Sequence, residues 1–202
     1  MKKGILGGTF SPVHKGHISM AGCAMEELGL DCVLFMPTGN PPHKSDILDI
    51  GHRLNMLRLC VQDVPGFEVS DFESKRSGII YTADTLRLLK DMYPDDDYTF
   101  IIGGDSFFDI TSWHTPEKIF EYAQIAVCIR GDAGNKKMLA QKEMLENKYD
   151  ANIKLLHFKP VDISSNEIRR AVKSGNENEI SRVSRYMPAK VLEYIKKEGL
   201  YL

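Results

Sequence analysis

The chain has 202 residues, a length that suits one domain, 1–202, and leaves little room for two independent cores. Hydrophobic residues make up 43% and charged residues 27%, a globular balance that argues against disorder. The formal net charge of -2 gives no sign of a generally basic surface, so no nucleic-acid partner is expected, although a local basic site stays open.

The four cysteines, Cys23, Cys32, Cys60 and Cys128, form no CxxC pair, so neither a zinc ribbon nor a thioredoxin-type site is signalled. Cys32 and Cys128 sit in apolar runs and read as buried thiols. The start, Met1-Lys2-Lys3-Gly4-Ile5-Leu6-Gly7-Gly8, lacks the apolar stretch of a signal peptide. No apolar run approaches membrane-spanning length. The expectation is a reduced, cytoplasmic protein with no membrane partner. Its oligomeric state is not legible.

Strand and helix signals alternate along the chain. Lys3 to Leu6 predicts a strand ending on Gly7-Gly8. Helical spacing runs from His17 through Ile18, Ala21, Met25 and Leu28, with Gly29 as its stop. Cys32 to Met36 predicts a buried strand closed by Pro37; its lack of alternation suggests helices on both faces of the sheet. A polar loop follows from Thr38 to Asp49. A helix is expected through Leu54, Leu57 and Val61, a short strand at Phe67–Val69, and a helix from Thr82 to Tyr93. Tyr98 to Ile102 predicts a strand that stops at Gly103-Gly104-Asp105. Thr115-Pro116-Glu117 opens a helix, with threonine at the N-cap. Ile125–Ile129 and Ile153–Phe158 are strand candidates. The lysine-rich 134–150 segment reads as an exposed helix, and Ser164–Lys173 and Pro188–Lys197 as two more. The predicted fold is α/β, Rossmann-like and doubly wound, a mostly parallel sheet with helices on both faces. Ligands in such sheets bind beyond the carboxyl ends of the strands.

Three segments at such positions carry chemistry. In Gly7-Gly8-Thr9-Phe10-Ser11-Pro12-Val13-His14-Lys15-Gly16-His17, paired glycines let backbone approach a phosphate, and two histidines stand three residues apart at a helix start. A plain tight turn would explain the glycines equally well. A metal pair is disfavoured, because no third ligand follows at a typical spacing. In Ile163-Ser164-Ser165-Asn166-Glu167-Ile168-Arg169, Ser164 and Glu167 fit a capping box, which by itself accounts for them. A helix N-terminus with hydroxyls and an arginine also suits pyrophosphate. In Gly103-Gly104-Asp105, followed by Trp113-His114, the carboxylate suits ribose hydroxyls or a helix cap, and the single tryptophan suits core packing or stacking.

The first segment resembles GTFxPxHxGH, the signature of the nucleotidylyltransferase superfamily, with Ser11 where bacterial members usually have aspartate or asparagine. The second is similar to that superfamily's ISSTxIR motif, with Asn166 in place of threonine. The two lie about 150 residues apart, within the span of one domain. Met36-Pro37-Thr38-Gly39-Asn40-Pro41-Pro42-His43-Lys44 resembles an MPxxxPPHK loop, and Tyr81-Thr82-Ala83-Asp84-Thr85 an SYTxDT element. Together these resemble the bacterial nicotinate-nucleotide adenylyltransferase family over essentially the whole chain.

The resemblance implies transfer of AMP from ATP to nicotinate mononucleotide, giving nicotinate adenine dinucleotide and pyrophosphate on the way to NAD. It implies ATP contacts from Gly7, Gly8, Thr9, Phe10, His14, His17, Gly104, Asp105, Ser164, Ser165 and Arg169, with His14, His17 and Arg169 catalytic. It implies mononucleotide contacts from Asn40, His43, Lys44, Thr85, Asp105 and Trp113, the last by stacking on the pyridine ring. Mg²⁺ is expected with ATP, held mainly by phosphates and water, with no protein metal site. Direct in-line displacement needs positioning and charge stabilisation, and no covalent intermediate. The alternatives are another acceptor (nicotinamide mononucleotide or phosphopantetheine) or a non-catalytic nucleotide-binding module.

Overall fold

The computed structural model describes residues 1–39, 47–129 and 136–202. Its centre is a sheet of six strands: β1 (Lys2–Gly8), β2 (Cys32–Pro37), β3 (Phe67–Val69), β4 (Asp97–Gly103), β5 (Gln124–Cys128) and β6 (Ile153–Leu156). Their order is β3-β2-β1-β4-β5-β6 and every adjacent pair is parallel. The order reverses between β1 and β4, which makes the gap beyond their carboxyl ends the topological switch point.

Alternation along the strands sorts side chains into two cores, one on each face. Leu6 and Ile101 enter one core with Ala21, Met56, Leu57, Ile168 and Val191. Ile5, Phe100 and Ile102 enter the other with Leu86, Ile119 and Leu145. The first face is therefore covered by α1 (Lys15–Leu28), α2 (Ile50–Val61), α7 (Ser165–Ser174) and α9 (Ala189–Lys197). The second carries α3 (Thr82–Met92), α5 (Pro116–Tyr122) and α6 (Lys136–Tyr149). The short α4 (Gly104–Asp109) starts at the end of β4, and α8 (Glu177–Ser184) follows α7. No described helix is long and apolar enough to cross a membrane.

Local chemistry explains most boundaries. Gly29 ends α1 in the left-handed region at φ 59°, which glycine adopts without a Cβ penalty. Ser164 and Glu167 form the expected capping box of α7. Thr115 stands at the N-cap of α5 as expected, but its backbone is left-handed at φ 45° and its side chain makes no capping bond, so Pro116 carries the start of that helix. The sequence reading omitted α8. Its signals are Asn176, whose side chain accepts from the amides of Asn178 and Glu179, and two glutamates in the first turn. The lysine-rich helix expected over 134–150 is α6, Lys136–Tyr149, among the described residues, and is not solvated all round: Met138 and Leu145 are buried.

Candidate active site

Beyond the carboxyl ends of β1 and β4 lie two adjoining lobes, each of about 480 Å³. His14, Gly104, Asp105, Ser164 and Ser165 line the first. Gly7, Gly8, Thr9, Thr38, Thr85 and Trp113 line the second. His17, Met20, Gly103 and Ser106 line both, so the His17 ring stands on the seam. A wider depression of about 640 Å³ lies at the opposite edge of the sheet, among Lys2, Asp97, Gln124 and Lys154, and contains none of the motif residues.

The geometry assigns His17 a protonation state. His14 caps α1 in an extended conformation, and its backbone N–H donates to His17 Nδ1 at 3.2 Å. A ring that accepts at Nδ1 carries its proton on Nε2, which becomes its donor. The two imidazoles stack with centroids 3.7 Å apart, and the Phe10 ring meets His17 edge-on at 5.0 Å. Burial first, then the neighbouring His14, holds His17 well below the usual histidine pKa of 6.5. At neutral pH it is an uncharged donor in fixed orientation.

The two distant motifs meet directly. Ser165 Oγ donates to the Pro12 carbonyl at 2.8 Å, and Arg169 Nη1 to the Ser11 carbonyl at 2.7 Å. Ser11 itself is buried and its hydroxyl pairs with Tyr201 Oη at 3.1 Å, so the end of the chain braces the loop after β1. Burial pushes the Tyr201 hydroxyl up to about 12, which keeps it protonated. Ser164 Oγ is committed to Glu167, and what α7 offers the first lobe is mainly its N-terminal amides.

Several expected residues are placed differently from their neighbours in the motifs. Phe10 is buried in the core at φ 49°, where it supports His17 from beneath. Gly7, Gly8 and Thr9 face the second lobe, while Asp105 faces the first, exposed in the opening turn of α4. Arg169 lies behind the Ser11 loop and lines neither lobe. Trp113 is half-buried on the wall of the second lobe, its ring edge-on to Phe100 at 6.1 Å. Asn40, His43 and Lys44 lie outside the described residues.

Two residues that the sequence reading passed over hold the second lobe. Arg53, on α2, is only 2% exposed and donates to the carbonyls of Leu48, Thr9, Thr38 and Gly39. Glu73 lines the lobe and accepts from Thr85 Oγ1 at 2.9 Å. Desolvation raises its pKa against the opposing bonds from Thr85 and the Gly39 amide. An arginine within an amphipathic helix and a glutamate in a polar turn carry no distinctive sequence signal.

A cytidylyltransferase-like family model matches residues 5–171. A relative from Lachnoclostridium phytofermentans is 39% identical over 100% of this chain and 99% of its own length. One from Citrifermentans bemidjiense is 40% identical over 100% and 99%. Each is named a probable nicotinate-nucleotide adenylyltransferase. The chain belongs to the nicotinate-nucleotide adenylyltransferase family. The fold agrees: a Plasmodium falciparum nicotinic acid mononucleotide adenylyltransferase, solved complexed with NaAD, superposes with a TM-score of 0.82 at 22% identity, covering 99% of this chain and 97% of the other.

Proposed function

We propose that the chain, as a single domain and a cytoplasmic enzyme, transfers the adenylyl group of ATP to nicotinate mononucleotide in NAD biosynthesis. The observation that carries this reading is the placement of His17 on the seam between two adjoining lobes, which we assign one to each substrate. ATP occupies the first lobe, with Gly104 and Asp105 towards the nucleoside and the α7 N-terminus, with Ser164 and Ser165, towards the phosphates, while Arg169 holds the Ser11 loop from behind. The mononucleotide occupies the second, with Trp113 against its ring and Thr85 near its substituent; contacts to its phosphate from Asn40, His43 and Lys44 rest on the family resemblance alone.

A phosphate oxygen of the mononucleotide attacks the α-phosphorus of ATP. The new P–O bond forms as the bond to the β-phosphate bridging oxygen breaks, and pyrophosphate leaves in line. The nucleophile is already an anion, so no protein base is required. The two lobes hold the reactants at attacking distance, and the His17 Nε2–H stabilises charge at the α-phosphate. His14 fixes the tautomer of His17 through its backbone amide. Among the described residues no group of three or more His, Cys, Asp or Glu side chains converges, and Asp105 is the one carboxylate on the first lobe. A Mg²⁺ ion arriving with ATP would be held mainly by the substrate and water, with Asp105 the carboxylate at hand, and would neutralise charge on the phosphates.

The test is pyrophosphate release from ATP and Mg²⁺ with nicotinate mononucleotide, nicotinamide mononucleotide or phosphopantetheine. The fastest release is expected with the nicotinate form. Preference for another acceptor would replace the assignment, and no release with any would favour a binding module.

A further inference from the structure

We propose that Arg53 and Glu73 are positioning residues for the acceptor, gripping opposite edges of the Thr38–Gly39 peptide and carrying that grip through Thr85 into the wall of the second lobe. The inference rests on the reading of that lobe as the mononucleotide site.

A trans peptide is planar, with its C=O and N–H directed oppositely. Arg53 Nη1 donates to the Thr38 carbonyl at 2.8 Å, so the Gly39 N–H of the same plane faces away from α2. Glu73 stands on that side, against Gly39, and the Gly39 amide helps to hold its carboxylate charged. The approach is close enough to demand glycine: a Cβ on Gly39 would lie 2.7 Å from the Glu73 carbonyl oxygen. The Glu73 carboxylate also accepts a hydrogen bond from the Thr85 hydroxyl at 2.9 Å. One chain of bonds therefore runs from α2, through the first residues after β2, to α3.

The middle of this chain and its α3 end face the acceptor, while Arg53 stands behind the wall. Thr38, Glu73 and Thr85 line the second lobe, as does Thr9, whose carbonyl takes a further Arg53 bond at 3.2 Å. Among the described residues every hydrogen bond from Arg53 goes to a backbone carbonyl and none to a carboxylate. Burying a guanidinium this way is costly for stability alone, where an apolar side chain would pack as well. Its placement makes sense if the charge and the fixed carbonyls serve the lobe in front of them. Thr38 Oγ1, on the same wall, is buried with no hydrogen-bond partner among the described residues, a hydroxyl suited to a polar group of the acceptor. By accepting from Thr85 Oγ1, Glu73 also fixes the orientation of the threonine hydroxyl on the lobe wall.

The experiment compares wild type with Glu73→Ala, Glu73→Gln and Gly39→Ala, measuring kcat, both KM values, calorimetric binding of each substrate alone, and melting temperature. In Glu73→Ala and Gly39→Ala the KM and Kd for nicotinate mononucleotide should rise about tenfold or more, because a loop displaced by a fraction of an ångström misplaces the acceptor. The KM and Kd for ATP should stay within about twofold, since that lobe shares no bond with the clasp. Glu73→Gln keeps one acceptor oxygen and should recover most of the loss. Equal shifts for both substrates, or a lower melting temperature with unchanged KM values, would overturn the proposal. Should Glu73→Ala fail to fold, Gly39→Ala perturbs the same peptide from the other side. If wild type turns over a different acceptor, the assignment of substrate fails while the clasp is judged on that acceptor. If it turns over none, the Kd split alone decides.

Discussion

Replacing His17 with alanine separates catalysis from folding. The ring contributes one preorganised donor at the seam, and removing one such donor from a developing oxyanion costs about 100- to 1,000-fold in kcat, or about 2.7–4 kcal/mol. The structural loss is separately measurable: what disappears is an edge contact with Phe10 at 5.0 Å, the stack on His14 at 3.7 Å and one bond from the His14 amide. At about 0.5–1.5 kcal/mol each these sum to about 2–4 kcal/mol, which lowers the melting temperature by several degrees but leaves the chain folded at assay temperature. Pyrophosphate release at saturating ATP and nicotinate mononucleotide, read beside a thermal melt, gives both numbers. A kcat within about threefold of wild type would refute the role of the donor, since a group that acts in the transition state cannot be removed so cheaply. A fall in kcat matched by a fall in folded fraction would refute it differently, by making His17 a packing residue.

Trp113→Ala should raise KM for the mononucleotide by about tenfold, the scale of losing one stacked ring, and leave KM for ATP unchanged; an effect confined to ATP would contradict its place on the second lobe. Ser164→Ala removes the hydroxyl of the α7 capping box and should cost about 1 kcal/mol, seen as a fall of about 2–4 °C in melting temperature. An unchanged melting temperature would show that Glu167 and water replace the cap. The depressed pKa of His17 gives a signed pH effect. Its contribution to stability is full above 6.5 and is lost as pH falls below 6.5 towards the lower folded value, because the unfolded ring takes a proton that the folded one refuses. Wild type should therefore lose more stability than His17→Ala between pH 7.5 and 5.5, measured by denaturant titration.

The elements legible in the sequence were those with a period or a punctuating residue. Cys32–Pro37 was recognisable as a doubly covered strand because both its faces are apolar, and Gly29 and the Ser164–Glu167 pair mark helix ends by local chemistry. The motifs likewise pointed to the right edge of the sheet. The division of labour within them was not legible, since it depends on which way each peptide and ring is turned. Ser165 and Arg169 read as phosphate ligands, yet each also ties its motif to the loop after β1 through Pro12 and Ser11. Phe10 sits inside a signature and serves the core. Arg53 and Glu73 have no motif because their partners are backbone groups, and a carbonyl oxygen leaves no trace in a sequence.

The net charge of -2 poses a problem that only the structure answers. Two polyanions must be drawn into one cleft of a mildly acidic protein. The side chains that look like the attracting cations are His14, His17, Lys44 and Arg169. Of these, His17 is neutral, held so by burial, and one edge of Arg169 is turned onto a carbonyl. A buried full charge lies instead on Arg53, beneath the second lobe, and the first lobe faces the amides that open α7. Fixed dipoles and an enclosed charge act over a few ångströms and are screened by salt far less than surface lysines. They also need no reorganisation when the α-phosphate changes geometry, whereas flexible surface cations would have to be ordered at each turnover. A low overall charge is therefore compatible with tight handling of phosphates, because the site relies on orientation where a basic surface would rely on field.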